Sequence, residues 1–283
     1  MELNKIYCED CMETMSIMED NFIDLTVTSP PYDNLRTYND NIDETWGEDV
    51  WKPIIKELYR VTKEGGVVVW VVGDATINGS ETGVSFQQAL WAKECGFNLH
   101  DTMIYERPAS FPSNNHYKYE QDFEYMFIWS IGKPKTFNPL MVKKSPNSLG
   151  KNYMSDNPKS VRQKDGSVKT IDAKAKRRLQ KSQKNQKCLD KNIWRFGVGY
   201  MVSSADKLSF EHPAIFPEKL VSKHIKTWSN EGDLVYDPFM GSGTTAKMAH
   251  LLKRNWIGSE LSQEYVDLAN KRLDPYLRQT TLF

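Results

Sequence analysis

The segment from residue 233 to residue 261 constrains the fold more than any other part of the sequence. DLVYD (233–237) predicts a short buried strand, a Gly-x-Gly turn follows it, and residues 244–253 predict a helix. WIGSEL (256–261) then predicts the next strand. Strand–helix–strand spacing of this kind implies a parallel sheet.

A second feature extends this expectation to the rest of the sheet. VVVWVV (67–72) is a continuous apolar strand, and a strand that is apolar on both faces indicates a sheet covered by helices on both sides. The predicted fold class is therefore α/β, with a mostly parallel sheet. Further predicted strands lie at 22–28, 99–106 and 122–130, further predicted helices at 49–62, 84–95 and 262–273, and regular structure at 215–228.

The turn after the strand at 233–237 has the features of a nucleoside-binding site. Its glycines permit close approach of a ligand to the backbone, and Thr244 and Thr245 can cap the helix and offer hydroxyls. Glu260 lies 17 residues after Gly243, at the end of the next strand, where a carboxylate can accept hydrogen bonds from ribose hydroxyls. Without Glu260, an ordinary strand-to-helix turn would be equally consistent. No Gly-Lys-Ser/Thr follows, so a triphosphate P-loop is not expected.

The strand at 22–28 ends in Ser29-Pro30-Pro31-Tyr32, which predicts a rigid loop at the ligand edge of the sheet. An exocyclic amine on a base is a poor nucleophile, because its lone pair is delocalised into the ring. The Ser29 hydroxyl and the Pro30 carbonyl can accept its hydrogens, and Tyr32 can stack on the base. The alternative is a plain turn after a strand.

The formal net charge of zero conceals a strong asymmetry along the 283 residues. Residues 133–191 contain 17 Lys and Arg against 4 Asp and Glu, and the remainder is acidic by the same margin. A basic segment in a neutral chain indicates a polyanionic partner such as nucleic acid, although a solvated insertion would have the same composition.

Composition also excludes other classes of protein. Cys8 and Cys11 form a CxxC, but no second CxxC or nearby His completes a metal site, so we expect no metal. No apolar run approaches the length of a membrane span, and the first residues lack a secretory signal. We therefore expect no membrane partner and a cytoplasmic location.

Together these motifs resemble the amino-methyltransferases of DNA, of the kind found in type II restriction-modification systems. TSPPY (28–32) looks like their catalytic motif and DPFMGSGTT (237–245) like their S-adenosylmethionine motif. A basic region between the two is the order of the family's β group. The resemblance implies a Rossmann-like S-adenosylmethionine-dependent methyltransferase fold with an inserted target-recognition domain. It divides the chain into a catalytic half (1–132), a basic target-recognition region (133–208) and a cofactor-binding half (209–283).

The resemblance also assigns site residues. Those implied for catalysis are Ser29, Pro30, Pro31 and Tyr32. Those implied for S-adenosylmethionine are Asp10, Cys11, Phe216, Lys219, Asp237, Phe239, Gly241, Gly243, Thr244, Thr245 and Glu260. The implied reaction is methylation of cytosine N4 in double-stranded DNA by base flipping, since Ser in the first catalytic position is commoner among cytosine-N4 enzymes.

Several readings stay open at this point. Methylation of adenine N6 is the alternative reaction, and a non-catalytic DNA-binding protein derived from a methyltransferase is an alternative of another class. RNA and protein glutamine methyltransferases usually have Asn before Pro-Pro-Tyr and place the cofactor motif first, which disfavours them. A homodimer and a cognate restriction endonuclease are further partners that the resemblance implies.

Overall fold

The chain comprises two compact units. Unit 1 is formed by Met1–Asn138 and Asn192–Phe283, and unit 2 by Pro139–Lys191. The computed structural model describes residues 1–31, 46–107, 119, 121–143, 160–170, 187–197, 199, 201–204 and 206–278. Within those ranges, no helix is both long enough and apolar enough to cross a membrane.

Fourteen strands and six α-helices make up the described structure. The strands are β1 (Lys5–Tyr7), β2 (Ile23–Thr28), β3 (Thr62–Val72), β4 (Thr76–Ile77), β5 (Ser80–Glu81), β6 (Asn98–Glu106), β7 (Phe123–Ser130), β8 (Met141–Lys143), β9 (Ser160–Arg162), β10 (Val168–Thr170), β11 (Lys187–Leu189), β12 (Ile193–Arg195), β13 (Leu234–Asp237) and β14 (Asn255–Ser259). The helices are α1 (Cys11–Ser16), α2 (Glu48–Val61), α3 (Val84–Cys95), α4 (Glu218–Trp228), α5 (Thr244–Leu251) and α6 (Gln263–Leu277), with a 3₁₀ turn at Lys207–Glu211.

Unit 1 is built on one eight-stranded sheet with the order β1-β14-β13-β2-β3-β7-β6-β12. All neighbouring strands are parallel except the two pairs that β7 makes, with β3 and with β6. From β2 the chain proceeds to β3 on one side, whereas from β13 it proceeds to β14 on the other. The boundary between β2 and β13 is therefore a topological switch point, where open α/β sheets bind their ligands.

Helices cover both faces of this sheet. On one face, α1, α2 and α3 share a core with alternate residues of β3, namely Val68, Trp70 and Val72. The intervening valines of β3 are also buried and point to the other face, where α4, α5 and α6 pack. The α/β fold with a mostly parallel sheet is thus confirmed.

Unit 2 contains two short antiparallel strand pairs, β9 with β10 and β8 with β11. The β9–β10 hairpin turns through Asp165-Gly166, where Gly166 has a φ of +84°. Residues 163–170 are all exposed. The turn and β10 therefore present their side chains to solvent rather than to a core.

The element boundaries agree with the sequence in most places. Helix α3 has the predicted limits, whereas β3 begins five residues earlier than the predicted strand at 67–72. Strand β1 and helix α1 had no sequence prediction. Strand β12 joins the sheet of unit 1 although it lies inside the predicted target-recognition region. The functional division at residues 133 and 208 stays a prediction, and residues 171–186 lie outside the described structure.

Candidate active site at the carboxyl ends of the strands

The turn that follows β13 can only be built with glycine at two positions. Gly241 and Gly243 have φ of +51° and +78°, in the left-handed region that side chains disfavour. A Cβ on Gly241 would lie 3.0 Å from Nε2 of His212, and one on Gly243 would lie 2.9 Å from Cβ of Ala269. The turn therefore packs closely against His212 on one side and against Ala269 of helix α6 on the other.

Glu260, directly after β14, reaches back to this turn. Its Oε2 accepts a hydrogen bond from the backbone N–H of Gly241 at 2.8 Å, and its Oε1 accepts one from the N–H of Ser262 at 3.0 Å. Burial raises the pKa of this carboxyl, and the two backbone hydrogen bonds offset part of that effect. Each oxygen retains an acceptor site, so the carboxylate can still bind two hydroxyl groups.

Asp237, the last residue of β13, is 1% exposed and uses both carboxylate oxygens within the protein. Its Oδ1 accepts from Oγ1 of Thr28 at 2.6 Å and from the N–H of Phe239 at 3.1 Å. Its Oδ2 accepts from Oγ1 of Thr245 at 2.6 Å. Burial raises the pKa of Asp237 to about 6, against the opposing effect of these hydrogen bonds.

The prediction that Thr244 and Thr245 cap the helix is wrong. The N-cap of α5 is Gly243, and no side chain caps it. Thr245 instead donates to Asp237, and Oγ1 of Thr244 accepts a hydrogen bond from Arg272 at 2.9 Å. A carboxylate and a guanidinium, both buried, bind these hydroxyls more strongly than a neutral backbone amide would.

The loop after β2 lies at the same edge of the sheet. Ser29 and Pro31 are half-buried and Pro30 is buried, and they follow Thr28 directly. The hydrogen bond between Thr28 and Asp237 joins the ends of β2 and β13 across the switch point. The structure thus brings the Ser-Pro-Pro loop beside the glycine turn, although 207 residues separate Pro30 from Asp237 in the chain. Tyr32 lies outside the described residues.

Asp10 and Cys11 lie at the adjacent strand end, beyond β1. Strand β1 pairs in parallel with β14, and the N–H of Glu260 donates to the carbonyl of Tyr7 at 3.0 Å. Asp10 is the N-cap of α1, where its Oδ1 accepts from the N–H of Met12 at 2.6 Å. Cys11 is buried, and this burial raises the pKa of its thiol. Asp10 and Glu260 therefore follow neighbouring strands at one edge.

The remaining predicted residues are Phe239, which follows β13, and Phe216 and Lys219, which lie where α4 begins. The ring of Phe239 meets Trp46 edge-on at 5.4 Å and Trp70 at 6.2 Å between centroids. Phe216 is half-buried before α4, and Lys219 is exposed in its first turn. His212, which precedes Phe216 by four residues, lies against the glycine turn.

A buried charge cluster behind the turn was not predicted. Arg272 of α6, whose side chain is fully buried, donates to Asp206 at 2.8 Å, to Glu218 at 2.7 Å and to the carbonyl of Ser242 at 2.9 Å. Lys247 of α5 donates to Glu218 at 2.8 Å. Burial tends to raise the pKa of Glu218, but hydrogen bonds from Lys247 and Ser204 outweigh it and leave the pKa lowered. Two carboxylates and two cations thus balance each other beneath the turn.

Metal ligation finds no support in the described parts of the chain. No group of three or more His, Cys, Asp and Glu side chains there is close enough to hold a metal ion. Cys8, Cys11, Cys95 and Cys188 are free thiols.

Known proteins resemble this chain in sequence and in fold. The sequence profile of the DNA methylase family, named for N6 and N4 methyltransferases, matches residues 23–271. The chain is 54% identical over 259 residues to an orphan methyltransferase of Bacillus amyloliquefaciens, M.BamHII, with 90% of each chain covered. It is 28% identical over 280 residues to the type II methyltransferase M.BglII of Bacillus subtilis, with 94% of this chain and 68% of the relative covered.

Solved structures share the fold. The PvuII DNA methyltransferase, which is cytosine-N4-specific, matches with a TM-score of 0.65 and 20% identity over 98% of this chain and 87% of its own. M1.HpyAVI in complex with SAM matches with a TM-score of 0.57 and 22% identity over 95% of this chain and 98% of its own. Since the family profile spans most of the sequence, the chain belongs to the DNA methylase family and is a site-specific DNA methyltransferase of the N6/N4 type.

Proposed function

We propose that this protein transfers a methyl group from S-adenosylmethionine to the exocyclic N4 of cytosine in double-stranded DNA. The observation that carries the proposal is the adjacency of the Ser29-Pro30-Pro31 loop and the glycine turn, on the neighbouring strands β2 and β13. An amine-accepting loop beside a nucleoside-binding turn has the two parts that methyl transfer to nitrogen needs.

The residues of the turn fit S-adenosylmethionine, which supplies its methyl group from a sulfonium centre. Glu260 is oriented by two backbone N–H groups and keeps acceptor capacity for two ribose hydroxyls. Burial raises the pKa of its carboxyl, so hydroxyl donors from a ligand would stabilise the charged form. Gly241 contributes through its backbone N–H, which donates to Glu260 and orients this carboxylate.

Further residues complete the proposed cofactor site. Asp10 and Cys11 adjoin the turn through β1 and β14, and Phe239 forms an aromatic wall with Trp46. Gly243, Thr244 and Thr245 hold the turn in place, as Asp237 does through its buried hydrogen bonds. Phe216 and Lys219 enter the proposal through the family resemblance.

Catalysis by this site consists of positioning and polarisation. The Ser29 hydroxyl and the Pro30 carbonyl accept the hydrogens of the amine and so make the nitrogen lone pair available. With S-adenosylmethionine bound, the N–C bond would form as the carbon–sulfur bond breaks, and the sulfur would keep that electron pair as a neutral thioether. Pro30 and Pro31 fix the backbone of the loop, so the acceptors are oriented before the base arrives. Tyr32 stacks on the base. The methylated nitrogen then loses a proton to water or through Ser29.

The target base must leave the DNA double helix to reach the Ser29-Pro30-Pro31 loop. An exocyclic amine inside a duplex cannot approach a cofactor bound at the edge of a sheet, so the base is rotated out of the stack. Unit 2, with 15 Lys and Arg against 4 Asp and Glu, supplies the positive charge that binds the DNA phosphates. In a bacterial cell this substrate lies in the cytoplasm.

Cytosine is the proposed target because Ser29 occupies the first position of the catalytic motif, where adenine-N6 enzymes more often have Asp. Two other partners stay predictions: a second copy of the chain, and a restriction endonuclease that recognises the same DNA site.

The test is to incubate the purified protein with isotopically labelled S-adenosylmethionine and mixed genomic DNA, and to analyse the digested nucleosides by mass spectrometry. The expected product is N4-methylcytosine. N6-methyladenine would overturn the choice of base and preserve the site. Absence of any labelled nucleoside, with cofactor binding measured by calorimetry, would overturn the proposed reaction.

A further inference from the structure

One buried carboxylate connects the two halves of the proposed active site. Asp237 accepts hydrogen bonds from Thr28, from the N–H of Phe239 and from Thr245. Thr28 is the residue directly before the Ser-Pro-Pro loop. Phe239 and Thr245 belong to the cofactor turn and to the first turn of α5. The same carboxylate thus holds a donor from each side of the switch point.

The geometry makes this link short and rigid. Thr28 is 0% exposed, and its hydroxyl lies 2.6 Å from Oδ1 of Asp237, as close as the Thr245 hydroxyl lies to Oδ2. Oγ1 of Thr245 also lies 3.3 Å from the carbonyl oxygen of Val27, the residue before Thr28. Water has no access to these groups, so movement of one strand end displaces the other.

The loop transmits that position to its acceptors. Ser29 follows Thr28 directly. The pyrrolidine rings of the next two residues, Pro30 and Pro31, fix the backbone angle φ of these two residues. The backbone between Thr28 and the Pro30 carbonyl therefore has few free torsions, and a displacement of Thr28 is transmitted to that carbonyl. In-line transfer depends on the distance between nitrogen and methyl carbon, and misplacement by about 1 Å can lower a rate by about a hundredfold.

We propose that Thr28 is a positioning residue for methyl transfer, which acts through the Asp237 carboxylate to hold the loop 29–31 against the cofactor turn. The inference rests on the proposed function, because the loop is taken to receive the amine. Thr28 itself touches neither substrate nor cofactor. Its contribution belongs to the rate of transfer, not to cofactor affinity.

The chain provides a matched control two residues earlier on the same strand. Thr26 is also 0% exposed, but its hydroxyl has no hydrogen-bond partner among the described residues. Thr26→Val and Thr28→Val therefore each replace a buried hydroxyl by a methyl group in the same strand. Thr28→Val removes the hydrogen bond to Asp237, whereas Thr26→Val removes no hydrogen bond to a described residue. Thr28→Ser removes the methyl group and keeps the hydroxyl.

The experiment measures the single-turnover methylation rate of the full-length protein, with saturating cofactor and the DNA duplex that the wild type is found to methylate. We expect Thr28→Val to lower this rate by about tenfold to a hundredfold, with cofactor Kd within about threefold of wild type because Phe239 and Thr245 still hold Asp237. Thr28→Ser should restore most of the rate, and Thr26→Val should match the wild type.

A double mutant separates positioning from loss of stability. If Thr28 and Thr245 act through one carboxylate, the loss in Thr28→Val combined with Thr245→Val should be smaller than the product of the single losses. Should Thr28→Val fail to fold, the comparison of Thr28→Ala with Thr28→Ser serves in its place.

Two results would overturn the inference. One is a folded Thr28→Val enzyme with the wild-type rate, and the other is a rate loss that Thr28→Ser and Thr26→Val share. A wild-type enzyme that methylates no DNA would instead overturn the proposed function, which is a separate outcome of the same assay.

Discussion

At the scale of single residues, the hydroxyl of Ser29 is the group that the proposed reaction uses most directly. We expect Ser29→Ala to lower kcat by about tenfold to a hundredfold, because loss of one preorganised polar contact in an active site typically has at least this effect. Cofactor Kd should change little, since Ser29 belongs to the loop and not to the turn. Single-turnover rates and calorimetric cofactor binding provide the two readouts.

The matched control for this change is Ser16→Ala, at an exposed serine at the end of α1. It should keep the wild-type rate. A Ser29→Ala enzyme that retained full turnover would show that the Ser29 hydroxyl is not needed for methyl transfer.

Asp237 makes a residue-scale prediction about pH. Its pKa is about 6 in the folded protein against a usual value of 3.8, so between these pH values the folded state binds more protons than the unfolded state. Stability from this group therefore falls as pH rises through that window, by on the order of 3 kcal/mol. Asp237→Asn cannot titrate and should remove this slope.

The measurement is the free energy of unfolding by urea at pH 4, 5, 6 and 7 for both proteins. The pKa of Glu260 is raised by burial and also by the charge of Asp237, so Asp237→Asn additionally removes the part of the Glu260 slope that comes from that charge. An unchanged slope in Asp237→Asn would mean that the carboxyl keeps an ordinary pKa.

The residues that form the motifs could be recognised in the sequence, but the hydrogen-bond partners of their side chains could not. Asp237, Gly241, Gly243 and Glu260 follow from the pattern of strand, turn, helix and strand. Thr28 does not, because the partner of its hydroxyl lies 209 residues away and only the fold brings them together. The wrong capping assignment for Thr245 has the same origin, since a local rule was applied to a side chain that bonds over a distance.

At the scale of elements, the β9–β10 hairpin of unit 2 is the exposed ribbon best suited to DNA. A two-stranded ribbon fits the major groove, and Lys164 and Lys169 of this hairpin are exposed. If both contact phosphates, Lys164→Ala with Lys169→Ala should reduce the slope of log K against log salt by about 1.8. Fluorescence anisotropy with a labelled duplex between 50 and about 200 mM salt measures this slope.

The control replaces two exposed lysines of unit 1, Lys93 on α3 and Lys271 on α6, and so removes the same charge. Its slope should equal that of the wild type. Equal changes in both double variants would indicate that the overall charge matters rather than the hairpin.

The charge cluster beneath the turn makes a prediction for helix α6. Arg272→Leu removes a fully buried cation and leaves Asp206 and Glu218 with one cation less, which should lower the free energy of unfolding by about 3–5 kcal/mol. The neighbouring Lys271 is exposed, so Lys271→Leu should change stability by less than about 0.5 kcal/mol. Urea titration compares the two, and similar losses would contradict a special role for Arg272.

Elements were predictable where their hydrophobic pattern was long. Helices α2 and α3 and strands β6 and β7 appear within one residue of the sequence prediction. Strand β1 has three residues, Lys5–Tyr7, of which Ile6 is the one that is buried, and such a pattern is too short to detect. It becomes a strand because β14 offers a free edge.

At the scale of the whole molecule, the proposed cofactor site combines residues that follow β1, near the start of the chain, with residues that follow β13 and β14, near its end. S-adenosylmethionine at a hundredfold excess over Kd should therefore stabilise unit 1 as a whole by about 2.7 kcal/mol. Thermal unfolding with and without cofactor measures the shift. Glu260→Gln should reduce it, whereas Glu94→Gln on the exposed side of α3 should not. A shift that survives Glu260→Gln would place the ribose elsewhere.

The parallel sheet and its helical layers could be predicted, but the order of strands could not. Neighbours such as β2 and β13 pair over about 210 residues, and no local pattern specifies which strands meet. The reversed direction of β7, between β3 and β6, is likewise decided by packing, because its apolar sequence would suit either direction.

The sheet order has a consequence for synthesis on the ribosome. Strand β2 emerges early, but its neighbour β13 is made late. Strand β14, which pairs with β1, follows β13 and is the last of the described strands. Chains grow at about 5–20 residues per second, so the gap between residues 28 and 234 corresponds to about 10–40 s. During that time the Ser-Pro-Pro loop exists without the turn beside it. A truncated translation product that ends before residue 234 would therefore lack the paired strand ends on which the proposed reaction depends.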